Sequence, residues 1–316
     1  MSKKVNFFGL LHLKHNENLI LNFKSKNEEE KHLVYLKNAI VLNEQLKNFG
    51  YTFHLITNNK KYLKKKLENL GYHIKLVEIN FETYVPPNTH FYACHYRVDI
   101  FRYLSSLKNS YSILIDLDVL IFKKARRLEK IKNSNIAFVN DITQNVLPAY
   151  GRENILNKLK LLNPKLSKVK WYGGDFFCGN SDFYKLLFKR TKIYQKKFVK
   201  NISNLKDQTD ELFVSLAITD IKEKYKIIKC ENNNFFTRYW NANIKHEQKH
   251  LSYYTKFAFL HIPADKLFLS KCYNKIRNKK NFKNLYVSHV RGIRNNFRLI
   301  LSKIKIMFLI NFVGSK

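Results

Sequence analysis

Acidic residues are scarce in this chain. Asp and Glu number 24 against 58 Lys and Arg, a formal charge of +34, so the surface favours polyanions such as phosphates, anionic lipid or nucleic acid. Charge alone does not choose among these. Cysteine is sparse as well: Cys94, Cys178, Cys230 and Cys272 stand far apart with no CxxC pair, which excludes a zinc knuckle or a disulfide framework and fits a reducing compartment. No uninterrupted apolar run reaches the ~18 residues expected of a spanning helix. Two lysines near the start precede an apolar stretch, but Asn6 and His12 interrupt it and no small-residue cleavage site follows. Val5 to Leu11 therefore reads as a first strand and not as an export signal. Internal repeats, RNP-like aromatic-basic motifs, zinc-finger spacing and helix-turn-helix patterns are also missing. A nucleic-acid-binding role, suggested by charge and by 15% aromatic content, is thus the weaker alternative.

What is present is alternation. Glu28 to Phe49 carries Leu33, Leu36, Ile40, Val41 and Leu46 at near-helical spacing and closes at Gly50. Thr52 to Thr57 is a short strand, Lys60 to Leu70 a basic helix ended by Gly71, and Tyr72 to Ile79 another strand. Pro86 and Pro87 mark a loop, His90 to Leu107 reads as helical, and Tyr111 to Ile115 is a continuous apolar run of the kind found centrally in a parallel sheet. This predicts an α/β fold with an open sheet flanked by helices and ligands at the carboxyl ends of its strands. From Asn140 onward the signals are less regular: Pro148 and Pro164 read as loop residues, Trp171 to Gly179 as an aromatic run containing glycine, and Asp182 to Val199 and Asp207 to Lys222 as helices.

The segment Tyr111-Ser-Ile-Leu-Ile-Asp116-Leu-Asp118-Val is the most informative. Alternating spacing in extended backbone sends Asp116 and Asp118 to one side of the chain. Their mutual repulsion is relieved by a divalent cation, and hard Mn²⁺ or Mg²⁺ shared with substrate phosphates suits such a pair. An apolar strand followed by Asp-x-Asp also opens phosphatases of the haloacid-dehalogenase type. Against that alternative, the fifth position is Leu120, and more than a hundred residues of β/α sequence come first.

The run Phe91-Tyr-Ala-Cys-His-Tyr96-Arg97-Val-Asp-Ile-Phe, followed by Ile115-Asp116-Leu-Asp118, resembles glycosyltransferase family eight of the GT-A fold, in which a Tyr-Arg-Leu helix precedes a Tyr-Leu-Asp-x-Asp strand. The likeness spans most of residues 1 to 270. It implies that Arg97 meets the donor's sugar or diphosphate, a task suited to a guanidinium fork. Trp171-Tyr-Gly173-Gly174-Asp175-Phe-Phe-Cys-Gly179 is similar to a segment of the blood-group-type galactosyl and N-acetylgalactosaminyl transferases, implying donor contacts at Gly174 and Asp175. Adjacent glycines let backbone approach a ligand closely. Asp207-Gln208-Thr-Asp210-Glu211-Leu resembles the His-Asp-Glu element of those enzymes and the Asp-Gln element of family eight. The first comparison implies that Glu211 faces the anomeric carbon and Asp210 binds sugar hydroxyls; the second puts Gln208 near the reaction centre. His261, followed by Pro263 and Lys266, resembles the family-eight arrangement of a third metal ligand and a lysine on the diphosphate, although Lys266 falls closer to His261 than in that pattern.

The resemblance implies a mixed-sheet GT-A catalytic domain over residues 1–265, with a nucleotide-binding half (1–122) and an acceptor-side half (123–265). The implied activity is transfer of a hexose-type sugar from a nucleoside diphosphate sugar, UDP-sugar foremost, to a glycan or lipid-linked acceptor, with retention favoured over inversion. Synthesis of bacterial surface polysaccharide or lipooligosaccharide is the expected setting. Residues 266–316 contain many Lys and Arg and no Asp or Glu, and read as a helical appendage. Arg291, Arg294, Arg298, Ser302 and Lys305 recur at helical steps, with Phe297, Ile300 and Phe308 on other faces. Such a helix lies in an anionic membrane interface, which predicts a cytoplasmic protein held peripherally on the inner face of the membrane.

Overall fold

The computed structural model describes residues 3–13, 27–205, 209–222, 225–230, 234–240 and 249–290. Its first part is β1 (Lys4–Leu10), α1 (Glu28–Asn48), β2 (Thr52–Thr57), α2 (Lys60–Asn69), β3 (Lys75–Glu78), α3 (Tyr92–His95), α4 (Arg97–Ser106) and β4 (Ser110–Ile115). Then come β5 (Val119–Ile121), α5 (Arg126–Ile131), β6 (Ile136–Asp141), α6 (Thr143–Tyr150), α7 (Arg152–Leu162), β7 (Tyr172–Asn180), α8 (Ser181–Asn201) and α9 (Glu211–Ile221). The last elements are β8 (Lys226–Lys229), β9 (Phe236–Arg238), α10 (Leu251–Tyr254), β10 (Phe259–His261) and α11 (Lys266–Lys271).

Asparagine starts several of these helices: the side chains of Asn27, Asn59 and Asn180 accept from the backbone N–H three residues on, at 2.8, 2.9 and 3.0 Å, satisfying donors that a first turn leaves open. The expected helix over His90 to Leu107 is broken, because Phe91 has φ 55° and the chain turns again at Tyr96 before α4 begins. Pro148, expected in a loop, lies inside α6. The helix ends two residues later, so few of its backbone bonds are affected.

Strands β3-β2-β1-β4-β7-β6-β8 form one mixed sheet, and β5-β10-β9 a smaller one. The pairs among β1 to β4 are parallel, whereas β7 runs antiparallel to both β4 and β6. Every residue of β4 is buried, as expected for a strand covered on both faces. Phe7, Ile113 and Phe176 enter one hydrophobic layer, and their neighbours Phe8, Leu114 and Phe177 enter the other. Each fully buried side chain of this size contributes ~1.5–3 kcal/mol.

Because β7 is reversed, its first residues lie where β4 ends: Asp116 donates its backbone N–H to the carbonyl of Asp175 at 3.1 Å. The smaller sheet adds His261, since β5 and β10 pair with His261 opposite Val119.

Beyond Asp265 the described chain folds back onto the body. Phe268, Leu269, Ile276, Phe282 and Tyr286 share a buried cluster with Val41 of α1 and Leu120 of β5. The expected boundary between 265 and 266 therefore runs through one apolar cluster, whose aromatic side chains outweigh the basic composition of this stretch. The cationic stripe from Arg291 to Lys305, and Gln208, lie outside the described residues. Among the described residues, no helix is long and apolar enough to cross a membrane.

Candidate active site

A cleft of about 330 Å³ opens at the carboxyl ends of β1 and β4. Asp116, Asp118 and His261 meet on its floor, each offering an oxygen or nitrogen within 4.8 Å of the others. His261 Nε2 lies 3.2 Å from Asp118 Oδ1 and 3.8 Å from Asp116 Oδ2. Its other nitrogen, Nδ1, is 2.7 Å from Asp175 Oδ2. A carboxylate holding Nδ1–H fixes the tautomer that presents the Nε2 lone pair outward, an arrangement metal-ligating histidines commonly have. The Nε2 atom is buried and faces the carboxylates of Asp118 and Asp116. These donors therefore suit a hard divalent cation that accepts oxygen and imidazole ligands.

Electrostatics keep Asp118 and Asp175 charged, whereas at Asp116 burial outweighs Arg97 and His261 and raises the pKa above the ordinary carboxylate value. Burial opposes ionisation of Asp118, but His261 and Lys266 outweigh it and hold the carboxyl well below the usual range. Lys266 Nζ is 2.6 Å from Asp118 Oδ2. Burial likewise opposes ionisation of Asp175, and Arg238 with His261 overcomes it. For His261, burial disfavours the cation, whereas Asp118 and Asp175 raise its pKa to about 9. A bound cation at Nε2 would displace that proton.

Two arginines span the site. Arg97, at the start of α4, pairs with Asp116 Oδ1 at 2.5 Å and Asp210 Oδ2 at 2.7 Å. Arg238, at the end of β9, pairs with Asp175 Oδ2 at 2.6 Å and Glu211 Oε1 at 2.8 Å. Arg97 joins Asp116 to Asp210, and Arg238 joins Asp175 to Glu211. They rest on consecutive glycines: a Cβ on Gly174 would come within 2.6 Å of Arg97 Nη1, and one on Gly173 within 2.5 Å of Arg238 Nη2. Glu211 also receives the indole N–H of Trp171 at 2.8 Å and the backbone N–H of Gly174 at 3.0 Å.

The residues singled out by sequence thus converge, with Gln208 outside the described residues. Arg97, Asp116, Asp118, Gly174, Asp210, Glu211, His261 and Lys266 all line the cleft. Asp175, expected as a donor contact, lies beneath it with its carboxylate turned to Asn140, Arg238 and His261. Gly173 and Gly174, expected to admit a ligand, make room for the two guanidinium groups. Arg238 went unnoticed in the sequence, although the available signal was an arginine ending the aromatic run Phe235-Phe-Thr-Arg238-Tyr-Trp240. A charge two residues after a core phenylalanine shares its face of the strand.

No family model and no curated protein sequence matches the chain. Among solved structures it is similar to the crystal structure of the galactosyltransferase LgtC in complex with donor and acceptor sugar analogues, at 11% identity and a TM-score of 0.51, covering 89% of this chain and 99% of that one. The mixed sheet and its flanking helices are those of the GT-A type fold.

Proposed function

We propose that the protein is a metal-dependent glycosyltransferase that moves a hexose-type sugar from a nucleoside diphosphate sugar, UDP-sugar foremost, to a hydroxyl of a glycan or lipid-linked acceptor. The observation that carries this reading is the grouping of Asp116, Asp118 and His261 on the floor of a cleft at the strand ends. Mn²⁺ or Mg²⁺ held by these three residues would act as a Lewis acid toward the diphosphate.

The chain's own groups complete the chemistry. Lys266 and Arg97, anchored on Asp118 and Asp116, hold positive charge beside the ligands, where diphosphate oxygens gain charge as they leave. Glu211, fixed by Trp171, Gly174 and Arg238, is a rigid negative group at the cleft wall. It would stabilise the cationic character that develops at an anomeric carbon, while Asp210 beside it would meet sugar hydroxyls. The acceptor hydroxyl supplies the electron pair of the new C–O bond, the diphosphate departs with the pair of the old one, and the hydroxyl proton passes to the departing phosphate. Retention is the outcome favoured by the resemblance to retaining families.

The setting we favour is bacterial surface polysaccharide or lipooligosaccharide synthesis at the inner face of the cytoplasmic membrane, approached through residues 291–316. Thermal-shift measurements test the central claim. UDP should stabilise the protein only with Mn²⁺ or Mg²⁺ present, and Asp118→Asn should abolish that dependence. Metal-independent stabilisation by an oligonucleotide, with no response to UDP, would instead favour nucleic-acid binding. A panel of nucleotide sugars, assayed for released diphosphate, then identifies the donor.

A further inference from the structure

We infer that Arg238 is a positioning residue that makes the metal-ligand group and Glu211 a single mechanical unit, so that metal affinity depends on Glu211. The inference rests on the reading of Asp116, Asp118 and His261 as metal ligands.

The argument begins with strand register. β9 and β10 pair in parallel with Arg238 opposite His261, and Tyr239 donates its backbone N–H to the carbonyl of His261 at 2.8 Å. The two side chains therefore leave adjacent strands side by side and reach the same acceptor. Asp175 Oδ2 accepts from Arg238 Nε at 2.6 Å and meets His261 Nδ1 at 2.7 Å. Asn140 holds the same carboxylate from the other side, at 3.1 and 3.2 Å. Arg238 and Asn140 together keep Asp175 from turning away from the histidine it orients, with Arg238 making the shorter, charge-assisted contact.

The other arm of the guanidinium, Nη2, donates to Glu211 Oε1 at 2.8 Å. A planar fork can serve both carboxylates at once in fixed geometry, which a lysine ammonium cannot. The group has little freedom to move: its side chain is 10% exposed, it and the Asp175 carboxylate both pack against Gly173, and the Trp240 ring centroid lies 5.1 Å from Cζ. Any shift of Glu211 is therefore felt at Asp175 and, through it, by His261.

The test is Mn²⁺ titration of the full-length protein by isothermal calorimetry, with no sugar donor present. Arg238→Met should weaken Mn²⁺ binding by roughly 10–100-fold, the usual effect of losing a group that orients a metal ligand. Arg238→Lys should recover only part of it. Glu211→Gln should change the affinity at least threefold in the wild-type background and leave it unchanged in the Arg238→Met background, the signature of coupling through the arginine. If Arg238→Met does not fold, the Arg238→Lys and Glu211→Gln variants and their double mutant carry the same cycle. Unchanged affinity in the Arg238 variants, or a Glu211→Gln effect equal in both backgrounds, overturns the inference alone. Failure of the wild-type protein to bind Mn²⁺ overturns the metal-site reading, and this inference with it.

Discussion

Gly174 forms the floor on which Arg97 lies: a β-carbon at that position would come within 2.6 Å of the guanidinium Nη1. The contact ties the reversed strand β7 to the helix that carries Arg97. Through Arg97 it ties both to Asp116 and Asp210.

Gly174→Ala should displace that guanidinium without unfolding the sheet. A misplacement of about 1 Å at a catalytic group can cost ~10²-fold in rate, so turnover should drop by that order while circular dichroism stays unchanged. Near-normal turnover in this variant would show that the reaction does not require the guanidinium to lie against Gly174.

Chelation should act at the same place as mutation of the metal ligands. Dialysis against EDTA should abolish UDP-dependent stabilisation, and added Mn²⁺ should restore it. His261→Ala should resist that restoration at Mn²⁺ concentrations that saturate the wild type, because one of three ligands is lost. Equal Mn²⁺ dependence in wild type and variant would remove His261 from the site.

His54 predicts a pH effect away from the cleft. Burial, with Lys75 and Lys4 nearby, lowers its pKa to about 4 from the ordinary 6.5, and its ring stacks on Phe8 with centroids 5.1 Å apart. The unfolded chain takes up a proton below pH 6.5, whereas the folded chain does so only near pH 4. Stability therefore falls as pH drops through that window. His54→Gln should lose this part of the acid sensitivity, so the difference in Tm between variant and wild type should shift in the variant's favour between pH 7.5 and pH 5. A difference that is constant with pH would refute the assignment.

The C-terminal region should contribute both to stability and to membrane attachment. Phe282 is fully buried among Phe268, Tyr286 and Phe122, and Phe282→Ala should cost ~3–5 kcal/mol, readable by urea denaturation. Deletion of residues 290–316 should move the protein from the membrane fraction of a lysate to the supernatant. An unchanged membrane fraction would sink the proposed role of the cationic stripe.

The sequence by itself determined the early strand-helix alternation, the buried β4 and the Asp-x-Asp at its end. Those features rest on local periodicity, and apolar patterning sorts side chains to one face or another wherever a strand or helix forms. Tertiary structure alone decided what the charges do. Arg97 meets Asp210 across 113 residues, His261 meets Asp175 across 86, and Arg238 meets Asp175 across 63. No local pattern encodes such pairings. They follow from strand order, from β7 running against β4, and from a second sheet that carries Arg238 and His261 in register to the same carboxylate. Asp175 became a support beneath the cleft for the same reason: in a crowded, water-poor interior, a buried carboxylate is stable only against the nearest cations.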